Sequence, residues 1–156
     1  MKHIKTFEGF LFESAVDSFI SDVEKEGNTI KSSGKSKSSF DVPVTSIVFE
    51  TKGFVQLKPI MDNRVWLEKL YSLQKGGGSY VMNRIISLAD KHGIQIELSA
   101  QPFNVEEDPM LLQVGVPKNV SPLSEQNLVN FYKKFGFKIA ELPGVFVKNA
   151  MKRIPQ

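Results

Sequence analysis

The 156-residue chain contains no cysteine. Disulfides, thiolate metal sites and cysteine nucleophiles are therefore excluded, and a reducing compartment is permitted. Histidine is scarce as well: only His3 and His92 are present, at no spacing that a metal site uses. His92 reads instead as a cation near a helix C-terminus. No apolar run approaches the roughly 18 residues of a membrane span, and the N-terminus lacks the continuous apolar stretch of a secretory signal. These absences lead us to expect a cytoplasmic protein with no metal and no membrane partner. Strong charge is missing too. A net charge of +3 and a pI near 9.0 are a mild excess that favours anionic ligands but falls short of a nucleic-acid stripe. The basic stretch "KSSGKSKSS" (31–39) has no interleaved aromatics for base stacking, so no specific nucleic acid is expected.

What is present is ordinary for a folded, water-soluble chain: 41% hydrophobic and 24% charged residues, at a length that suits one sizeable core. Ile4, Phe7, Leu11, Ala15, Phe19 and Val23 recur at helical spacing despite Gly9, and Gly27 stops that pattern. The polar, small-residue stretch 31–39 follows as a linker. This divides the chain into an N-terminal helix with its linker (1–39) and one globular unit (40–156).

From Phe40 the pattern changes to short apolar runs. "TSIVFE" (45–50), "GFVQLKPI" (53–60) and "VWLEKLYSL" (65–73) are separated by "TKG" and "MDN", which predicts an antiparallel meander of three strands. A helix follows in Val81, Met82, Ile85, Ile86, Leu88 and Ala89, with Lys91 and His92 in its last turn and Gly93 as its cap. "IQIELSA" (94–100) alternates as a strand. The proline-rich segment 101–123 reads as loop. A second helix has Ser124 as N-cap, Leu128, Phe131, Tyr132 and Phe135 on one face, and Gly136 as its stop. "FKIAEL" and "GVFVKN" close the chain as a hairpin around Pro143 and Gly144. The whole is an α+β fold with a mixed sheet.

Gly76, Gly77 and Gly78 stand between a strand and a helix, where each would cost an element interior roughly 1 kcal/mol relative to alanine. As an isolated string, "GGGS" would pass for a flexible spacer. With patterned segments on both sides it instead exposes backbone N–H groups at a helix N-terminus, where the macrodipole favours phosphate. The nucleotide-triphosphate loop is excluded because no Lys-Ser or Lys-Thr follows the glycines, and "SGKS" (33–36) has Thr29 where that loop needs glycine. The dinucleotide fingerprint is excluded because Ser79 and Val81 occupy its third-glycine positions.

Gln74-Lys75-Gly76-Gly77-Gly78-Ser79 resembles the [R/Q]-x-x-G-x-[G/A] signature of the GNAT superfamily of N-acetyltransferases, with Ser79 in place of the usual Gly or Ala. "LVNFYKKFGF" (128–137) looks like that family's later helix, which ends in Tyr-x-x-x-Gly-Phe. The resemblance covers roughly residues 44–150. It implies a bent mixed sheet whose two central parallel strands splay apart to admit acetyl-CoA. No first strand and helix pair of that fold is visible before residue 40.

By the same resemblance, the backbone of Gln74, Lys75, Gly76, Gly77, Gly78 and Ser79 would bind the CoA pyrophosphate. The main chain of Leu70, Tyr71, Ser72 and Leu73 would pair with the pantetheine arm. Lys75 would add a charge or simply be solvated. Tyr132 would protonate the departing thiolate, the alternative being a packed aromatic. Asn127 and Asn130 would touch the cosubstrate or serve as surface polar residues. Glu68 and Glu97 are the carboxylates of the right type and place for a general base, each also readable as a solvent-facing side chain. The acidic "EEDP" (106–109) would attract an amine or lie solvated. The implied activity is acetyl transfer from acetyl-CoA to a primary amine, on a small molecule or peptide, by direct attack in a ternary complex. The alternative is a non-catalytic CoA-binding or protein-interaction module of the same fold.

Overall fold

A computed structural model describes residues 14–30, 44–50, 52–102, 123–142 and 147–156. Its elements in chain order are α1 (Ala15–Glu26), β1 (Asn28–Ile30), β2 (Thr45–Phe49), β3 (Gly53–Met61), β4 (Arg64–Ser72), α2 (Gly77–His92), β5 (Gln95–Ser99), α3 (Glu125–Lys134), β6 (Lys138–Ile139) and β7 (Ala150–Arg153). The strands form one mixed sheet in the order β1-β2-β3-β4-β5-β7-β6. Every neighbouring pair is antiparallel except β4–β5, which is parallel. The expected meander is therefore β2–β4, and its order with α2 and a parallel β5 is the order that the GNAT resemblance implies.

Of the N-terminal apolar pattern the structure describes α1, which starts at Ala15. Ser14 is its N-cap: the hydroxyl accepts from the Asp17 N–H at 3.2 Å while the Asp17 carboxylate accepts from the Ser14 N–H at 3.2 Å. This reciprocal pair satisfies two donors at once and fixes the start at Ala15. Ile4, Phe7 and Leu11 lie outside the described residues, as do the 31–39 linker, "EEDP" and the turn at Pro143 and Gly144. Val16, Phe19 and Val23 of α1 are buried in the same core as Met82 and Ile85 of α2 and Ile47, Val55 and Leu57 of the sheet. Burying each such side chain stabilises the fold by about 1.5–3 kcal/mol before entropy is counted. The short β1, unseen in the sequence, adds an edge to β2.

His92 does more than face a helix end. Its Nε2 lies 2.7 Å from Asp22 Oδ2 and its ring meets Phe19 edge-on, so it ties the end of α2 to α1. Gly93 closes α2 in the left-handed conformation, as expected. The C-terminal hairpin is displaced from its expected position. Its first strand is only Lys138–Ile139, and its second is Ala150–Arg153 rather than "GVFVKN". The displacement follows from pairing, because β7 also has to fit between β6 and β5, and Ala150, Met151 and Arg153 are the residues buried there. Arg153 anchors this end of the chain: it donates to both Asp90 carboxylate oxygens at 2.7 and 3.0 Å and to the Phe135 carbonyl at 2.8 Å.

Candidate functional site

Strand β4 changes character halfway along. Arg64, Val65 and Trp66 pair with β3 on one side and with Gln95, Ile96 and Glu97 of β5 on the other. Beyond Trp66 the parallel ladder ends, while β5 continues against β7 as far as Ser99 opposite Ala150. The two strands therefore part, and the edge of β4 from Leu67 to Ser72 has no strand beside it among the described residues. Glu68 sits where the β3–β4 register slips: Gln56 faces Lys69 and Leu57 faces Leu67, leaving Glu68 as the extra, bulged residue.

The open half of β4 runs into the glycine turn. Gly76 is the N-cap of α2 with φ 78°, a backbone conformation that favours glycine over any side chain. Gly77 is required for a different reason, since a Cβ there would lie 1.7 Å from the Lys52 carbonyl oxygen. That same carbonyl accepts from the Leu73 N–H at 2.9 Å, so the β2–β3 turn holds the glycine turn by its backbone. The Gly77 N–H donates to the Gln74 carbonyl at 2.9 Å and the Gly78 N–H to the Ser72 hydroxyl at 3.3 Å. Ser72 in turn donates to the Gln74 carbonyl. Ser79, third residue of the helix, is the last whose N–H has no intrahelical acceptor, because Tyr80 already bonds back to Gly76 at 3.1 Å.

Between these elements lies an open cavity of about 200 Å³. Its walls are Leu70 and Ser72 from β4, Gly76, Gly78 and Ser79 from the turn and helix start, and Leu123, Leu128, Phe131 and Tyr132 from α3 and its lead-in. Tyr132 is 6% exposed, and its ring packs edge-on against Phe131 and Phe137. Burial pushes its phenol above the ordinary value of 10.0, which keeps the proton on oxygen throughout the neutral range.

The structure thus brings Tyr132, Leu70, Ser72, Gly76, Gly78 and Ser79 to one cavity. Leu73, Gln74 and Gly77 build the turn behind it. Tyr71 pairs in register with Phe54, and burial raises its phenol. Lys75, Asn127 and Asn130 are exposed and outside the cavity lining, and the Asn127 N–H donates to the Ser124 cap. Glu68 is exposed at the bulge.

Glu97 departs from the solvent-facing alternative. It is 0% exposed, and its oxygens accept from Arg64 Nη2 at 2.7 Å, from Arg64 Nε, and from Gln95 Nε2 at 3.1 Å. Strict alternation in "IQIELSA" suggested an outward carboxylate, but β5 is an interior strand and its partner Arg64 removes Glu97 from water. Leu123 and Leu128 were not foreseen as cavity walls. Their signal was present, for Leu128, Phe131 and Tyr132 share one helical face, yet an apolar face looks the same whether it meets a core or a cleft. Among the described residues no group of three acidic or histidine side chains is placed to hold a metal, and no helix is long and apolar enough to cross a membrane.

No protein-family description matches the sequence, and no curated protein does. Several solved structures resemble it in fold. An aminoglycoside 6'-N-acetyltransferase complexed with coenzyme A is 18% identical with a TM-score of 0.42, over 71% of this chain and 72% of its own. Ard1 from Thermoplasma volcanium is 18% identical at 0.42, over 90% of this chain and 80% of its own. The ribosomal-protein-S18-alanine N-acetyltransferase from Escherichia coli is 13% identical at 0.42, over 90% of each.

Proposed function

We propose that the chain is an N-acetyltransferase that moves the acetyl group of acetyl-CoA to a primary amine on a small molecule or peptide. The observation that carries this reading is the convergence, on one cavity, of a β4 edge with no strand beside it among the described residues, the glycine start of α2 and the buried phenol of Tyr132. Each part meets a different need of the cosubstrate.

The outer edge of β4 from Leu70 to Ser72, beside which no strand lies among the described residues, and the Leu73 carbonyl after it offer main-chain groups to the amides of the pantetheine arm, as an added strand would. The turn from Gln74 to Ser79 takes the pyrophosphate on backbone N–H groups at the positive end of α2. There a phosphate oxygen would replace the Ser72 hydroxyl as acceptor for Gly78, a bond of 3.3 Å that is easily exchanged. Lys75 adds a cation at the same turn.

Transfer proceeds without an acetyl-enzyme, since the chain has no cysteine to carry one. The amine nitrogen attacks the thioester carbonyl carbon, the carbon–sulfur bond breaks, and Tyr132 gives its proton to the departing thiolate. The proton shed by the amine goes to Glu68, directly or through water. Glu97 is unsuited to that task, because both of its oxygens are already engaged.

Titration calorimetry with acetyl-CoA tests binding, and an amine panel read by release of free thiol tests turnover. Tyr132→Phe should lower turnover by about 10²–10³-fold while acetyl-CoA affinity stays near that of the parent. Binding without turnover in the parent would favour the non-catalytic CoA module. No binding at millimolar acetyl-CoA would sink both readings.

A further inference from the structure

The parallel contact between β4 and β5 is only three residues long, and it ends where the strands part. Directly on this short ladder sits the pair of Arg64 and Glu97. Arg64 stands at the first rung, opposite Gln95, and Glu97 at the last, opposite Trp66. The guanidinium donates through both Nε and Nη2 to the two carboxylate oxygens, and Gln95 adds a third donor from its own strand. A planar fork gripping both oxygens tolerates little sliding or rotation, unlike a single-point contact. One residue of slippage would move Glu97 to the opposite face of the sheet, away from Arg64. Parallel pairing of so few residues has little backbone bonding of its own to resist such movement.

We propose that the Arg64–Glu97 pair is the clamp that fixes where β4 and β5 diverge, and so sets the width of the cleft into which the cosubstrate enters. The second half rests on the functional reading above. Glu97 is in this account a positioning residue: it touches neither substrate nor the cavity wall, and acts through the placement of β4. The Asn63 carbonyl, which accepts from the Gln95 N–H at 2.9 Å, closes the ladder at its other end. The clamp thus spans the ladder from its first rung to its last.

The test uses Glu97→Gln and Arg64→Lys in the full chain, with Val23→Ala in α1 as a variant that weakens the core away from the fork. In ligand-free protein, hydrogen exchange should accelerate by about tenfold or more at the Gln95 and Glu97 amides, which face β4, in the two clamp variants, with the β3–β4 and β5–β7 amides keeping their protection. Val23→Ala should instead raise exchange throughout the core. Acetyl-CoA affinity should fall by about tenfold in the clamp variants and stay near parental in Val23→Ala. The double exchange Arg64→Glu with Glu97→Arg should recover part of both losses. Unchanged exchange at Gln95 and Glu97, or faster exchange with acetyl-CoA affinity intact, overturns the clamp. If the parent itself fails to bind acetyl-CoA, the functional reading falls with the cleft-width claim, while exchange still decides whether the pair fixes the fork.

Discussion

The first three residues of β4 and its last five share one strand and do opposite work. Arg64 to Trp66 are hydrogen-bonded on both edges and carry the buried ion pair to Glu97. Of Glu68 to Ser72, the last four pair with β3, no strand lies on the other edge among the described residues, and Leu70 and Ser72 line the cavity. The difference teaches where the fold spends its pairing capacity and where it holds some back. An unpaired strand edge is an aggregation liability unless it is covered or kept for a partner. Here the open length leads straight into a helix start made of glycine, which is what an extended ligand ending in phosphates would use.

Breaking the paired half should have the largest effect on stability. Arg64→Met strands a carboxylate that is 0% exposed, at a cost of about 3–5 kcal/mol, and should lower the melting temperature by roughly 10 °C in calorimetry. A drop of only a degree or two would mean that Glu97 reaches water more easily than its burial implies. Next comes Gly77→Ala at the far end of the open half. Its methyl would meet the Lys52 carbonyl, so the turn must shift, at about 1–3 kcal/mol and with loss of acetyl-CoA binding. Binding that survives this change would separate the turn from the ligand and break the comparison.

Ser72→Ala, inside the open half, should cost only about 1 kcal/mol in denaturant unfolding, because it removes the hydroxyl that joins Gln74 to Gly78. Acetyl-CoA affinity should change little if phosphate takes over that amide. The smallest effect on acetyl-CoA binding is expected far from β4. The Arg153 guanidinium, against the opposing influence of burial and with help from the Gln156 N–H, holds the Asp90 carboxyl below its ordinary 3.8. Its stabilisation is therefore complete above about pH 4 and is lost as pH falls through the depressed folded value. Asp90→Asn should flatten the acid limb of the stability profile and leave acetyl-CoA binding at neutral pH unaltered.

Much of this arrangement was legible in the sequence. The meander, the glycine start of α2, the Gly93 stop, and the Ser124 cap of α3 each depend on neighbours within a few residues, and local chemistry names them. Tyr132 could be picked out only by resemblance, since its helical face reads equally as core. What failed to show depended on contacts from afar. β1 has three residues and exists because β2 offers it an edge. The last strand is where β5 requires it to be, and Glu97 is buried because Arg64, 33 positions earlier, reaches it.

The sequence by itself determined α2 and α3 with their caps and the place where bare backbone meets a helix start, because propensity, capping and turn chemistry act over a few residues. Only the tertiary structure decided that β4 and β5 part after three pairs, that Glu97 is taken by Arg64, and that Tyr132 faces a cavity beside the glycines. Pairing partners and cavities are relations between distant segments, and a strand's alternation records which residues share a face without recording what stands opposite them.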